Sequence, residues 1–269
     1  MYVHLQILIS TYGDRINNLK LRPKENITYV IIHQAYEKGD LLKLEELKKR
    51  TDINYVQADS VGLTNSRNLA LKYFDADIGL ITDDDVILDN NIYQTVINAY
   101  NRGQYGIKLF KILTSDTHKE FRKYPTHDKK YSRIDLLKAC SIEISFSKEV
   151  IEKELYFDER FGLGGEFICG EESVFLNHAY KQNIPIEYIN KVIAYHPEES
   201  TATGMLNNNI LEAKGAVYYS VLGNILSVIF ILRISFFSKF SKDNGYKKLE
   251  VFKGLMNGRR KVLRSNTLL

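Results

Sequence analysis

Ile78-Gly79-Leu80-Ile81-Thr82-Asp83-Asp84-Asp85-Val86 is the stretch on which the reading of this chain turns. The apolar run 78–81 has the length and branching of a buried strand, and three carboxylates follow it at once. Side chains alternate along extended backbone, so Asp83 and Asp85 fall on one side and Asp84 on the other. Like charges held that close repel unless a cation lies between them, and hard cations such as Mg²⁺ or Mn²⁺ take carboxylate oxygen. Alone, an acidic triplet reads first as a solvated turn closing a strand. Its neighbours decide otherwise.

Upstream, apolar runs at 3–9, 27–32 and 53–56 alternate with helix-period segments at 40–50 and 65–74, and a further helix is expected at 91–101. Strands separated by helix-length segments imply parallel pairing and a layered α/β sheet. Ligands of such sheets bind beyond the carboxyl ends of the strands. One rim should therefore carry Ser10, Thr11 and Tyr12, then His33 and Gln34, then Asp83 to Asp85. The first strand is followed by Gly13-Asp14-Arg15, with one glycine, which argues against a dinucleotide-binding fingerprint; no Walker sequence occurs either.

Downstream the pattern changes. Strands are expected at 105–113 and 141–147, joined by a charged connection whose His118 and His127 have no ligand-spaced partner and read as surface residues. Gly162, Gly164, Gly165 and Gly170 then fall within ten residues, a backbone that must bend or close over something. A helix at 173–181 follows, with Glu171 and Glu172 in its first turn, where carboxylates are favoured. A strand-like run at 186–193 leads to His196. The apolar segment 216–237 is interrupted by Arg233, and its clean part, 216–232, is at the lower limit of a spanning helix. A core or interfacial helix is expected there.

With 269 residues, 44% apolar and 26% charged, the chain can bury a sizeable core. Two cysteines, Cys140 and Cys169, give no disulfide framework, and the simpler setting is a reducing cytosol. The N-terminal run reads as a strand rather than a signal peptide. The net charge of +4 hides an asymmetry: residues 233–269 hold 10 Lys/Arg against 2 acids, so residues 1–232 stand near −4. That basic tail needs a partner or a structural reason.

The order of these features resembles the family 2 glycosyltransferases of the GT-A fold, many of which build bacterial surface polysaccharides. Ser10-Thr11-Tyr12 is similar to the family's first strand end, Gly62, Arg67 and Asn68 match its G-x-x-x-A-R-N pattern with Ser66 in place of Ala, Asp83-Asp84-Asp85 resembles its D-x-D element, and Gly170-Glu171-Glu172 resembles its Glu-Asp element. The likeness runs from about residue 3 to 201. It divides the chain into a GT-A-like domain, 1–203, and a helical, basic extension, 204–269. One departure stands out: His33-Gln34-Ala35-Tyr36 replaces the usual Asp-Asp-Gly-Ser that contacts the nucleotide base. The amide of Gln34 can both donate and accept, so base recognition would survive in altered form.

The resemblance implies transfer of a sugar from a nucleotide-sugar donor, UDP-linked, to a saccharide or lipid-linked saccharide, inverting and dependent on Mn²⁺ or Mg²⁺. It assigns the metal to Asp83, Asp85 and His196, and the general base to Glu172 with Glu171 beside it, the two pointing about 100° apart. Donor contacts are assigned to Ser10, Thr11, Tyr12, Arg15, Gln34, Asn65, Arg67, Asp83 and Asp84. It implies a cytoplasmic protein, peripheral on the inner face of the plasma membrane. The apolar surface of 216–232 followed by a surplus of 8 positive charges suits an anionic membrane surface, the alternative being a helix packed on the body with a solvated basic end. No nucleic-acid partner is expected, and homo-oligomerisation is left open. Two rivals remain: a sugar-nucleotidyltransferase, whose Gly- and Arg-rich first loop is absent here, and a non-catalytic glycan- or membrane-binding subunit of the same fold.

Overall fold

The alternating apolar and helix-period segments become, in the computed structural model, a mixed sheet covered by helices; residues 3–100, 105–197 and 207–267 are described. The first half contains β1 (Leu5–Tyr12), a 3₁₀ turn (Gly13–Asn18), β2 (Ile27–Gln34), α1 (Leu41–Lys49), β3 (Ile53–Ala58), α2 (Leu63–Lys72), β4 (Ile78–Asp83), β5 (Ile87–Leu88) and α3 (Ile92–Tyr100). Next come β6 (Ile107–Thr114), β7 (Lys129–Lys130), β8 (Ile144–Ser147), α4 (Lys148–Ile151), α5 (Glu171–Lys181) and β9 (Ile186–His196). Four helices close the described chain: α6 (Asn208–Leu222), α7 (Asn224–Phe237), α8 (Phe240–Asp243) and α9 (Lys248–Thr267).

β3, β2, β1 and β4 are parallel neighbours, as the alternation predicts. β8 then runs antiparallel between β4 and β6, so the second half departs from a purely parallel sheet. The cause is local. The chain enters β8 from a 3₁₀ turn at Ser141–Glu143, directly beside β4, rather than through a crossover helix. β6 pairs in parallel with β9, whose far edge takes β5 at one end and β7 at the other.

Alternation along the strands divides the core into two layers. Leu8, Val30, Ile32 and Ile81 pack with Phe146 and Phe175 on one face, while Ile7, Ile9, Ile31 and Leu80 pack with Leu44 and Val96 on the other. Gly79 interrupts β4 because the Phe146 ring lies over it: a Cβ there would sit 2.2 Å from Phe146 Cζ. His118 and His127 are both exposed, as expected.

The apolar segment expected as one run is two helices. Gly223, at φ +78°, breaks it, leaving α6 as a core helix and α7 as a separate one. α6 and α9 cross in direct backbone contact: a Cβ on Gly215 would fall 1.9 Å from the Leu255 carbonyl oxygen, and one on Gly258 1.7 Å from that of Glu212. The pair also packs against the body, through Phe161, Phe167 and Val174 with Ala213, Ala216 and Val217. The expected division at residue 203 and the end of the resemblance near 201 lie outside the described residues. No helix among the described residues is long and apolar enough to cross a membrane.

Candidate active site

The parallel register sets Ser10 beside Asp83, so the ends of β1 and β4 form one rim with the acidic triplet at its centre. The alternation then sorts the three carboxylates. Asp84 turns inward, where it accepts a 2.6 Å hydrogen bond from Thr11 Oγ1 and an ion-paired contact from Arg15 Nη2. Burial raises its pKa above the usual aspartate value, against the opposing pull of Thr11 and Arg15. Asp85 faces the opening, with Arg15 Nη2 3.0 Å from one oxygen and His196 Nε2 3.4 Å from the other. Its pKa is lowered, chiefly by the hydrogen bond from His196. Burial is the largest influence on His196 and opposes its charge, but the hydrogen bonds to Asp85 and Pro197 and the charges of Asp85 and Asp83 together outweigh it and raise the imidazole pKa. The other ring nitrogen, Nδ1, lies 2.7 Å from the Pro197 carbonyl oxygen, which fixes the ring's orientation.

Arg67 occupies a different place from the one expected of a diphosphate contact. It is 3% exposed beneath the rim, where Nη1 donates to Glu171 (2.6 Å) and Nη2 to Asp83 (3.0 Å) and Ser141 Oγ (2.8 Å). Burial works against its charge; Asp83, Glu171 and Glu172 more than offset this, and its pKa is raised. The guanidinium therefore links the acidic triplet to the Glu pair at the head of α5, two elements far apart in sequence. Its planar fork suits this bridging better than a lysine would.

Glu171 is buried in that ion pair, whereas Glu172 is half-buried and makes no ion pair among the described residues. Burial, and then the adjacent Glu171, push the Glu172 pKa well above the usual glutamate value. The Cys140 thiol pKa is raised by burial and by the charges of Glu143, Glu172 and Asp83.

The glycine run closes over the start of α2. Leu63 N donates to the Leu163 carbonyl at 2.9 Å, and Thr64 Oγ1 donates to that of Phe161. Gly164, at φ +90°, comes so close that a Cβ would lie 2.9 Å from Gly62 Cα. Gly164→Ala is therefore expected to lower stability by about 1–3 kcal/mol, read as a lower urea midpoint at unchanged slope. A midpoint equal to wild type would mean that the clasp is open in solution.

Other expected donor contacts are braces in this state. Gln34 Nε2 donates to the carbonyls of Ser60 (2.5 Å) and Gly62 (3.1 Å), holding the loop that opens α2. Asn65 Nδ2 donates to the Val61 carbonyl at 2.8 Å, and Ser66 Oγ bonds Ser10 Oγ at 2.8 Å. Tyr12 is 46% exposed at the rim. Sequence reasoning did not single out Ser141, the third Arg67 partner, or Asn68 as the pin that exchanges hydrogen bonds with Phe157. Only the position of Asn68 within the G-x-x-x-A-R-N pattern pointed toward it.

No group of three or more His, Cys, Asp or Glu gathered closely enough to hold a metal ion occurs among the described residues. Asp85 and His196 supply two adjacent donors at the opening, with Asp83 across the rim and engaged by Arg67. That donor set fits Mg²⁺ or Mn²⁺ taken up together with a phosphorylated ligand, since such ions are held by one or two carboxylates plus substrate phosphates.

No protein-family model matches the sequence, and no curated protein sequence does. Solved structures do share its architecture. S. aureus TarS 1–349 in complex with UDP-GlcNAc aligns with a TM-score of 0.66 at 16% identity, over 95% of this chain and 79% of that one. The same protein's 1–349 segment with UDP gives 0.61 at 16% identity, over 88% and 73% of the two chains. A longer S. aureus TarS structure gives 0.60 at 15% identity, over 88% of this chain but 44% of that one. At such identities the likeness carries the fold, and the fold is that of GT-A glycosyltransferases.

Proposed function

We propose that the chain is an inverting glycosyltransferase that moves a sugar from a nucleotide-sugar donor to a saccharide or lipid-linked saccharide. The observation that carries this is the convergence of Asp83, Glu171 and Glu172 around one buried arginine, with Asp85 and His196 paired beside them, at the strand-end rim of a GT-A fold. The likeness to TarS solved with UDP-GlcNAc and with UDP supports a UDP-linked donor. Its place in the cell, on this reading, is the cytosolic side of a membrane where surface polysaccharide is built.

Asp85 and His196, with Asp83, would hold Mg²⁺ or Mn²⁺, which when bound neutralises charge on the departing diphosphate. Glu172 takes the proton from the acceptor hydroxyl as its oxygen bonds the anomeric carbon and the bond to the diphosphate breaks. Its raised pKa suits a base that must be protonated in turn. Arg67 pairs with Glu171 at 2.6 Å and so fixes that side chain next to Glu172. One base and no covalent intermediate describe an inverting displacement.

Calorimetry with UDP and Mn²⁺ tests the metal assignment. Asp85→Ala should remove the Mn²⁺-dependent part of UDP binding while the protein stays folded; unchanged affinity in a folded variant would end the assignment. Slow release of nucleoside diphosphate from a UDP-sugar supports the transferase, whereas release of pyrophosphate from a nucleoside triphosphate and a sugar phosphate would favour the nucleotidyltransferase.

A further inference from the structure

α7 is built the wrong way round for water. Ile225, Leu226, Ile229, Leu232 and Phe237 face outward, with Ile225 74%, Ile229 57% and Phe237 85% exposed. Serines face inward: Ser227 and Ser235 are buried, with Ile231 between them. Polar bonds lock this orientation from behind. Arg259 of α9 donates to Ser227 Oγ (3.1 Å) and to the Asn224 carbonyl (3.0 Å), and Ser241 Oγ donates to the Ser235 carbonyl (3.1 Å). Rotating the helix to hide its apolar face would break these bonds and bury the charge of Arg259 without partners. The exposed face is therefore fixed.

Positive charge follows it. Arg233 lies on the same outer surface, and the exposed Lys239, Lys242 and Lys247 follow within ten residues of the helix end, against one acid there, Asp243. We propose that this face docks on an anionic phospholipid surface, α7 lying in the plane of the interface with Arg233 and the lysines at headgroup level. Fourteen residues make a helix of about 21 Å, too short to cross a hydrocarbon core of about 30 Å but suited to lying along it. An apolar stripe with cations at one end is complementary to acyl chains under anionic headgroups. A second copy with its α7 alongside in parallel fits worse, because that pairing would bring the same cations together. The inference rests on α7 alone and holds whether or not the chain transfers sugars.

Flotation of the full chain with vesicles tests it. Wild type should bind phosphatidylglycerol-containing vesicles at low salt, and at least about tenfold more weakly at high salt or on phosphatidylcholine alone. Ile225→Ser, Ile229→Ser and Phe237→Ser together should weaken binding at least about tenfold, with circular dichroism and melting temperature unchanged because the side chains are exposed. Lys239→Gln with Lys242→Gln should weaken it severalfold and flatten the salt dependence. The proposal is overturned if wild type fails to bind anionic vesicles at low salt, or if the serine variant binds as wild type does. It is equally overturned if light scattering shows a dimer that the serine variant dissociates while vesicles capture neither form, since the occupant is then a second copy.

Discussion

Glu172→Gln is expected to bind donor as wild type does and to lose transfer by about 10²- to 10⁴-fold, the usual contribution of a positioned general base. Glutamine keeps the size and hydrogen bonding but cannot take a proton, so the deficit should appear in turnover rather than in donor affinity. Glu171→Gln is the internal comparison. Its carboxylate is tied up by Arg67 at 2.6 Å, so this change should act on stability first. The acid limb of the wild-type kcat/KM profile should lie above the ordinary glutamate range, because burial and Glu171 raise the Glu172 pKa. Sensitivity has a definite sign: a base must be deprotonated, so activity rises with pH through that limb. If Glu171→Gln is the inactive variant and Glu172→Gln turns over normally, the two roles are reversed. If both remain active, the base lies elsewhere.

Arg67→Met should be the most damaging single change to stability, lowering it by about 3–5 kcal/mol because a buried pair loses one partner. Glu171 would then be buried without a cation, and Asp83 and Ser141 would lose the donor they share. Methionine fills similar volume, so a packing void explains little of the loss. The variant's deficit should shrink as pH falls, since an uncompensated buried carboxylate has a raised folded pKa and its neutral form is tolerated. Urea unfolding at several pH values measures both effects. A loss below about 1 kcal/mol would mean that the pair is solvated and contributes as surface pairs do.

The parallel half of the sheet was legible because each of its strands is an apolar run bounded by a helix-period segment. The rim followed from alternation and the strand-end rule, and the resemblance added Glu171 and Glu172, whose patch Arg67 joins to the rim. What sequence could not supply was long-range pairing. Arg67 and Glu171 are 104 positions apart, so an arginine in the first turns of a helix read as a phosphate contact rather than a buried bridge. Nor could it supply direction: β8 looks like its neighbours in sequence yet runs antiparallel to β4. The split of the 216–237 run was missed for a third reason. A glycine within an apolar stretch is ambiguous until its φ is seen, and Gly223 at +78° ends one helix and starts another.

The turn that presents the Glu pair has a consequence for how the chain can vary. Gly170, at φ +93°, would place a Cβ 2.2 Å from Val217 Cγ2 on α6. The head of α5 therefore rests on a helix from the C-terminal extension, with no room left between them. Positions 170 and 217 form a lock-and-key pair in which the larger member is already at its limit. Exchanging α6 to α9 for the tail of another GT-A protein would carry a new residue against the turn that aims Glu171 and Glu172. A functional graft across that seam has to bring the 162–170 loop with the tail, so the inheritable unit of the site is larger than its list of carboxylates.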